Sequence, residues 1–398
     1  MRALCLGVLV LAACGGHSTA ADAGAVDAAA TSTDLSMPDA SATRTTLRVH
    51  YPAGSHTLSI RGSTTPLAWT TGHDMTALAD DTWTLEVEAS TRFEYKPLLS
   101  VNGSMNGGGG GSADGTWSIG PNYVAQPGST VDIYPHFFTE AGRVEQLFSA
   151  FHSDRLGNDR VVWAYLPVSY DENTRATFPV VYMHDGQNLF ASGVLGDSGW
   201  KVDDTLNAAA LDGSIREVIV VAPENAGTQR IYEYTPIYDA SEMAGGGGDL
   251  YLDMLVEELK PRVDAMLRTQ PGRATTALVG SSLGGLISAY AGVTRPDVYG
   301  LIGALSPSTW WDNKMILGKV AMTGPLRPDR VYVDCGDDGA NTDEDNIVET
   351  TLLFDTYTSI GYVEGSTFRH VVQAGGRHSE TYWAQRLPGA LQFLLGPR

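Results

Sequence analysis

From about Val144 onward, short apolar runs alternate with longer stretches of helical periodicity. Residues 161–166, 179–183, 218–222, 275–279, 301–305 and 331–334 are largely apolar, and 367–372 forms a more polar run, the mark of a sheet whose strands are mostly buried on both faces. Between them, 203–211, 249–267, 283–290, 347–359 and 382–395 place apolar residues at helical spacing, and Pro261 predicts a kink or split in the long second helix. Such alternation predicts a mostly parallel sheet covered by helices on both sides. Residues 46–138 follow a different rule. Runs at 47–51, 58–61, 83–87 and 93–96 alternate apolar with polar and are separated by Gly, Pro, Asp and Asn, which predicts a small antiparallel sandwich with a Gly-rich loop from Asn106 to about Gly115.

The junction of one strand and one helix carries the first chemical signal. Gly280-Ser281-Ser282-Leu283-Gly284 fits G-x-S-x-G between a β-capable run and a helix, the spacing of a nucleophile elbow. It makes Ser282 the candidate nucleophile and points the N–H of Leu283 at charge developing on an ester oxygen. Ser281 occupies the x position and is not expected to react. With an elbow serine in mid-sequence, the expected fold class is α/β, an α/β-hydrolase sheet preceded by an all-β sandwich.

The partners of such a serine follow it in the order acid, then histidine. Only His370 and His378 lie downstream. His370 falls inside a strand; His378 follows Ala374-Gly375-Gly376-Arg377 in a loop at the carboxyl edge of the sheet, where catalytic groups gather, and is the candidate base. The acid should leave the preceding strand, where Asp337 and Asp338 follow Gly336; Asp338 is preferred, with Asp337 the alternative. Asp334 reads as buried. Asp343, Glu344 and Asp345 read as helix N-terminal charges behind Thr342; they lack the ligand spacing of a calcium loop. After the strand 179–183, His184-Asp185-Gly186-Gln187-Asn188 offers the N–H of Gln187 as the second oxyanion donor, with His184 as structural support. Gly245 to Gly248 predicts a flexible loop beside the site.

Composition narrows the possible partners. The 398 residues carry 26 Lys plus Arg against 46 Asp plus Glu, a net charge of −20, which disfavours nucleic acid. The three cysteines, Cys5, Cys14 and Cys335, form neither a disulfide framework nor a zinc spacing. Residues 1–14 read as an export signal ending in Leu11-Ala12-Ala13-Cys14. That ending resembles the lipobox of bacterial lipoproteins and implies a cell-envelope protein anchored through Cys14; the plain alternative is an ordinary secretory signal. Residues 15–45 read as a flexible tether, and no later stretch looks transmembrane. The expected organisation is therefore signal 1–14, linker 15–45, sandwich 46–138 and hydrolase 139–398.

Two resemblances sharpen these expectations. Arg61-Gly62, Leu67-Ala68-Trp69, Trp83, the 93–96 run Phe-Glu-Tyr-Lys, Trp117 and Pro121-Asn122-Tyr123 resemble the starch-binding type of carbohydrate-binding module. The resemblance implies that Trp69, Lys96, Trp117 and Asn122 line a glycan site; the alternative is that the tryptophans fill the core, as a mid-strand position suggests for Trp83. The 182–190 run containing His184-Asp185-Gly186-Gln187-Asn188, the elbow, Ser306-Pro307-Ser308-Thr309-Trp310-Trp311 and Gly376-Arg377-His378 look like the esterase D family across 146–395. Relatives there include feruloyl, acetyl-xylan and enterobactin esterases and the mycolyltransferases. The resemblance implies Ser282, His378 and the N–H groups of Leu283 and Gln187 in the roles named above, a carbohydrate-linked or other small acyl ester as substrate, and no metal or organic cofactor. Relatives often carry an extra residue between the glycine matching Gly336 and the acid. Two other readings stay open: acyl transfer to a sugar or lipid hydroxyl, and a glycan-binding surface protein whose hydrolase domain is inactive.

Overall fold

Eight strands build the central sheet: β1 (Arg143–Ser153), β2 (Asn158–Leu166), β3 (Val180–Met183), β4 (Ile219–Pro223), β5 (Thr276–Ser281), β6 (Leu301–Leu305), β7 (Arg330–Gly336) and β8 (Phe368–Gln373). In the computed structural model they lie in the order β1-β2-β4-β3-β5-β6-β7-β8. The first two strands join antiparallel and the remainder run parallel. The structure describes residues 41–100, 115–193, 198–338 and 345–397. The expected signal with Cys14, most of the tether and the Gly-rich loop lie outside them, as do Asp343 and Glu344.

The sheet's two faces are sorted by strand periodicity. Val180, Tyr182, Ile219, Val221 and Leu278 join the core under the helices α3 (Gly248–Asp253), α4 (Lys260–Met266), α5 (Leu283–Thr294), α6 (Trp311–Ala321) and α7 (Ile347–Ser359). Val181, Met183, Val220, Ala277 and Val279 face the opposite core, beneath α1 (Val202–Asp212) and α8 (Glu380–Leu395). Each such fully buried aliphatic side chain contributes about 1.5–3 kcal/mol. The break expected around Pro261 is present, and one aspect differs from the sequence reading. The long helix around Pro261 is broken by a π-helical stretch, Met254–Leu259, with the proline in the first turn after it, because proline donates no N–H to the ladder. A short α2 (Arg230–Tyr234) and a hairpin pairing Tyr238–Asp239 with Ala244–Gly245 fill the segment before α3. Gly245 and Gly248 are therefore built-in positions rather than a free loop: a Cβ on Gly245 would lie 2.4 Å from Thr235 Oγ1 and 2.7 Å from Trp311 Cζ2.

The N-terminal sandwich is not wholly antiparallel. Thr43–His50 pairs antiparallel with Thr82–Ala89 on one side and parallel with Thr130–Ile133 on the other. The second sheet is centred on Leu58–Gly62 and Phe93–Leu99. The first strand starts at Thr43 and buries Thr45, so the sandwich reaches into the expected tether. Leu47, Val49, Leu58, Ile60, Val87, Phe93 and Tyr95 form the sandwich core. The turn after β2 plugs into this sandwich. Glu172 accepts hydrogen bonds from Tyr51 Oη (3.0 Å) and from the backbone N–H groups of Phe137, Phe138 and Thr139. Asn173 donates to the carbonyls of His50 and Pro135. Sandwich and hydrolase thus pack as one unit, Ala42–Arg398.

Candidate active site

Ser282 sits where β5 turns into α5, with φ 57° and ψ −124°, a conformation that costs a non-glycine residue about 1–3 kcal/mol. The neighbouring backbone over-determines it. Ser282 N–H donates to the Leu305 carbonyl, and the Ser282 carbonyl accepts from Ser308 N–H, both at 3.0 Å. Gly280 is a steric necessity, since a Cβ there would stand 2.5 Å from His184 Cδ2 and 2.9 Å from the Gly284 backbone, and a Cβ at Gly284 would sit tightly on His184 Cβ at 3.3 Å. Ser281 is buried in the strand end, as its place in the motif required. Ser282 Oγ lies 3.4 Å from Ser308 Oγ.

His184 supports this turn from below. Its Nδ1 meets Tyr251 Oη at 2.8 Å and its Nε2 meets Ser288 Oγ at 3.1 Å. Complete burial lowers its pKa to about 3, so the ring is neutral, as befits a structural rather than a reacting group. β3 and β5 are neighbours in register, Met183 beside Val279, and the turn after β3 therefore opens next to the elbow. There Gly186–Asn188 forms a single 3-10 turn. Asp185 enters it at φ 60°, gripped by Arg230 at 2.7 and 2.8 Å and by Asn225 at 2.6 Å. Gly186 is forced because a Cβ there would lie 2.3 Å from the Ala222 carbonyl oxygen. Gln187 and Leu283 each lie in the first turn of a helical segment on neighbouring strand exits, and N–H groups in first turns lack intrahelical acceptors.

His378 lies in the loop between β8 and α8, with Nδ1 2.7 Å from Oδ1 of Asp345 and its ring edge-on to Trp383, centroids 5.0 Å apart. This corrects the expected acid: the carboxylate that meets His378 belongs to Asp345, not to Asp338 or Asp337. Asp345 precedes α7, which starts at Ile347 behind Asn346, and is 1% exposed. Its Oδ2 accepts from Ser306 Oγ at 2.9 Å and from Gly336 N–H. Asp337 and Asp338 instead brace the histidine loop. Asp338 N–H donates to the Gly376 carbonyl (2.8 Å), and Asp337 Oδ1 accepts from Gly375 N–H (2.6 Å). Gly336 touches Gly376 backbone to backbone, leaving no room for a Cβ. His370 packs on Phe354 within β8, and burial lowers its pKa.

The segment after β6 closes one flank. Trp311 is buried, donating Nε1–H to the Ile237 carbonyl (2.9 Å), while Asp312 N–H donates to Asp239 Oδ2 (2.9 Å). The adjoining Trp310, Tyr232, Tyr238 and Met243 are exposed. On the sandwich, Arg61 joins Trp69 and Trp117: its guanidinium stacks over the Trp117 ring at 5.3 Å and donates to the Trp69 carbonyl at 3.4 Å. Both indoles are reachable, at 39% and 38% exposure. Lys96 donates to the Gly120 carbonyl and Asn122 to Glu94. Trp83 packs against the sandwich core and donates to the Tyr51 carbonyl.

A family model described as "Putative esterase" matches residues 153–394, the span that holds every element of this site. The chain belongs to that esterase family. It is an ester hydrolase with an α/β-hydrolase fold. Among its relatives, the uncharacterized protein YbbA of Bacillus subtilis is 25% identical over 257 residues, covering 61% of this chain and 96% of that protein. A siderophore triacetylfusarinine C esterase of Aspergillus fumigatus is 30% identical over 173 residues, 41% of this chain and 57% of that enzyme. An endo-1,4-beta-xylanase/feruloyl esterase of Xylanibacter ruminicola is 24% identical over 264 residues, 64% of this chain and 33% of that protein. The chain therefore spans little more than half of the second of these relatives and a third of the last. Among solved structures, the enterobactin esterase of Shigella flexneri superposes with a TM-score of 0.51 at 16% identity, covering 85% of this chain and 87% of that one. That likeness is one of fold.

Proposed function

We propose that this esterase is a serine carboxylic-ester hydrolase in which Ser282, His378 and Asp345 form the triad. The observation that carries the reading is the 2.7 Å contact of His378 Nδ1 with Asp345 Oδ1, taken together with a serine held at an elbow conformation. A carboxylate on Nδ1 fixes the tautomer that leaves Nε2 free to accept a proton. Ser282 Oγ attacks the acyl carbonyl as His378 removes its proton, and the tetrahedral oxyanion sits between the N–H groups of Leu283 and Gln187. His378 then returns the proton to the leaving alcohol. Water, activated by the same imidazole, releases the acid.

The substrate we infer is a small acyl ester on a carbohydrate or another polyhydroxylated alcohol. The named feruloyl and siderophore esterase relatives support this class, as do the exposed aromatics Trp310 and Tyr238 on the flank, whose faces suit planar acyl groups. In the same reading the protein is exported and anchored through Cys14, and Trp69 and Trp117 give the sandwich a glycan platform. The test is Ser282→Ala against wild type on p-nitrophenyl acetate, butyrate and feruloyl esters. Loss of turnover and of phosphonate labelling, with an unchanged circular dichroism spectrum, is the expected result; equal turnover overturns the mechanism.

A further inference from the structure

One buried side chain outside the triad ties together β6, β7 and β8, of which β7 and β8 lead into the acid and base loops. Arg386, in α8, places Nε 3.1 Å from Asp334 Oδ1 in β7. It donates from Nη1 to Gln373 Oε1 at the end of β8 (2.9 Å) and from Nη2 to Ser306 Oγ just past β6 (2.7 Å). Its side chain is 3% exposed. A cation so deeply buried needs a purpose beyond surface charge, because desolvating it costs several kcal/mol.

The polarity of Ser306 shows where that charge is directed. Its Oγ receives N–H donors from Arg386 and from Trp383 (2.9 Å), which occupy both lone pairs. The single hydroxyl proton is left for Asp345 Oδ2, 2.9 Å away. Ser306 adopts φ 40° to be there and is wholly buried. Trp383, one turn before Arg386, also stands edge-on to His378. One oxygen of Asp345 therefore faces His378, while the other faces a hydroxyl polarised by the Arg386 guanidinium and, at 3.4 Å, Nη2 of that guanidinium itself.

We propose that Arg386 is a positioning residue for ester hydrolysis, acting both directly and through Ser306 to hold Asp345, and with it His378, in the reacting geometry. This rests on the triad reading above. The rival role is structural: Arg386 merely neutralises buried Asp334. Removing both partners of a buried pair relieves the cost of a lone charge, so a double variant separates the two roles.

The experiment compares Arg386→Gln, Asp334→Asn/Arg386→Gln, Ser306→Ala and Ser282→Ala with wild type, reading Tm, kcat and KM on p-nitrophenyl butyrate. Arg386→Gln lowers Tm and cuts kcat about 10–100-fold. The double variant recovers most of the Tm but keeps at least a tenfold loss of kcat with KM within twofold, the pattern of an interaction used in the transition state. Ser306→Ala, which keeps both charges and the direct Arg386–Asp345 contact, shows a smaller kcat loss. If Arg386→Gln does not fold, the double variant still decides. Wild-type kcat in the double variant, beside an inactive Ser282→Ala, overturns the role of Arg386 and leaves the triad standing; an active Ser282→Ala overturns both.

Discussion

His378 rests its Nδ1 against Oδ1 of Asp345 at 2.7 Å, across 33 residues of chain that include all of α7 and β8. Asp345→Asn replaces an acceptor by an amide that favours the wrong imidazole tautomer. A fall in kcat of about 10³–10⁴-fold is expected, with KM little changed. Asp338→Asn should keep more of its turnover than Asp345→Asn, because the carboxylate that meets His378 is that of Asp345, while the Asp338 contact with Gly376 runs through its backbone N–H and asparagine tolerates the φ of 54° found there. Steady-state kinetics on p-nitrophenyl butyrate check both; similar losses in the two variants would refute the assignment.

Glu172 predicts a mechanical dependence between the two halves. Its carboxylate collects four donors, three from the sandwich and one from Thr139 just past it. Glu172→Ala strands three backbone N–H groups, at roughly 1–3 kcal/mol for each that stays buried and unpaired. Calorimetry of the variant should show the sandwich melting ahead of the hydrolase in a separate transition, with esterase activity at 25 °C retained. A single transition at the wild-type temperature would count against the latch.

His184 and Asp334 set opposing acid responses. The folded-state pKa of His184 falls to about 3 because burial excludes the charge. The unfolded chain therefore takes up a proton below about pH 6.5 that the native chain refuses, and stability drains by up to about 1.4 kcal/mol per pH unit on acidification. Asp334 is pushed up to about 6, chiefly by burial. It keeps its proton in the native state between about pH 4 and 6, where the unfolded chain gives it up, so it adds stability as pH falls through that window. Urea midpoints from pH 7 to 4 should accordingly drop more steeply in Asp334→Asn than in wild type, and less steeply in His184→Asn. Parallel curves for all three proteins would contradict this balance.

The parallel sheet, the elbow and the histidine loop were legible because each is written locally. Apolar strands, G-x-S-x-G and a Gly-Gly turn before His378 report their own neighbourhood. The acid was not, because its identity depends on how far a loop travels. Five acidic side chains, Asp337, Asp338, Asp343, Glu344 and Asp345, lie between Gly336 and α7, and composition cannot say which folds back. Asp345 also sits where helix-capping charges are common, which disguised it. α6 escaped notice for a different reason: Asp312, Asn313 and Lys314 take positive φ inside it, a conformation held by the contacts of Trp311 and Asp239 rather than by local propensity. The one usable signal for Arg386 was a cation among the apolar positions of the last helix, Trp383, Leu387 and Leu391.

The latch at Glu172 and Asn173 lies beyond the carboxyl end of β2, which runs against the parallel strands, whereas Ser282 caps the far end of β5. The sandwich consequently cannot swing down as a lid over the nucleophile. Any polymer moored on it would be held behind the enzyme, and the scissile bond would have to arrive from a separate strand or a flexible branch within reach. Mooring of that kind raises local substrate concentration without dictating which bond is cut, and it leaves the mouth of the site open to freely diffusing esters.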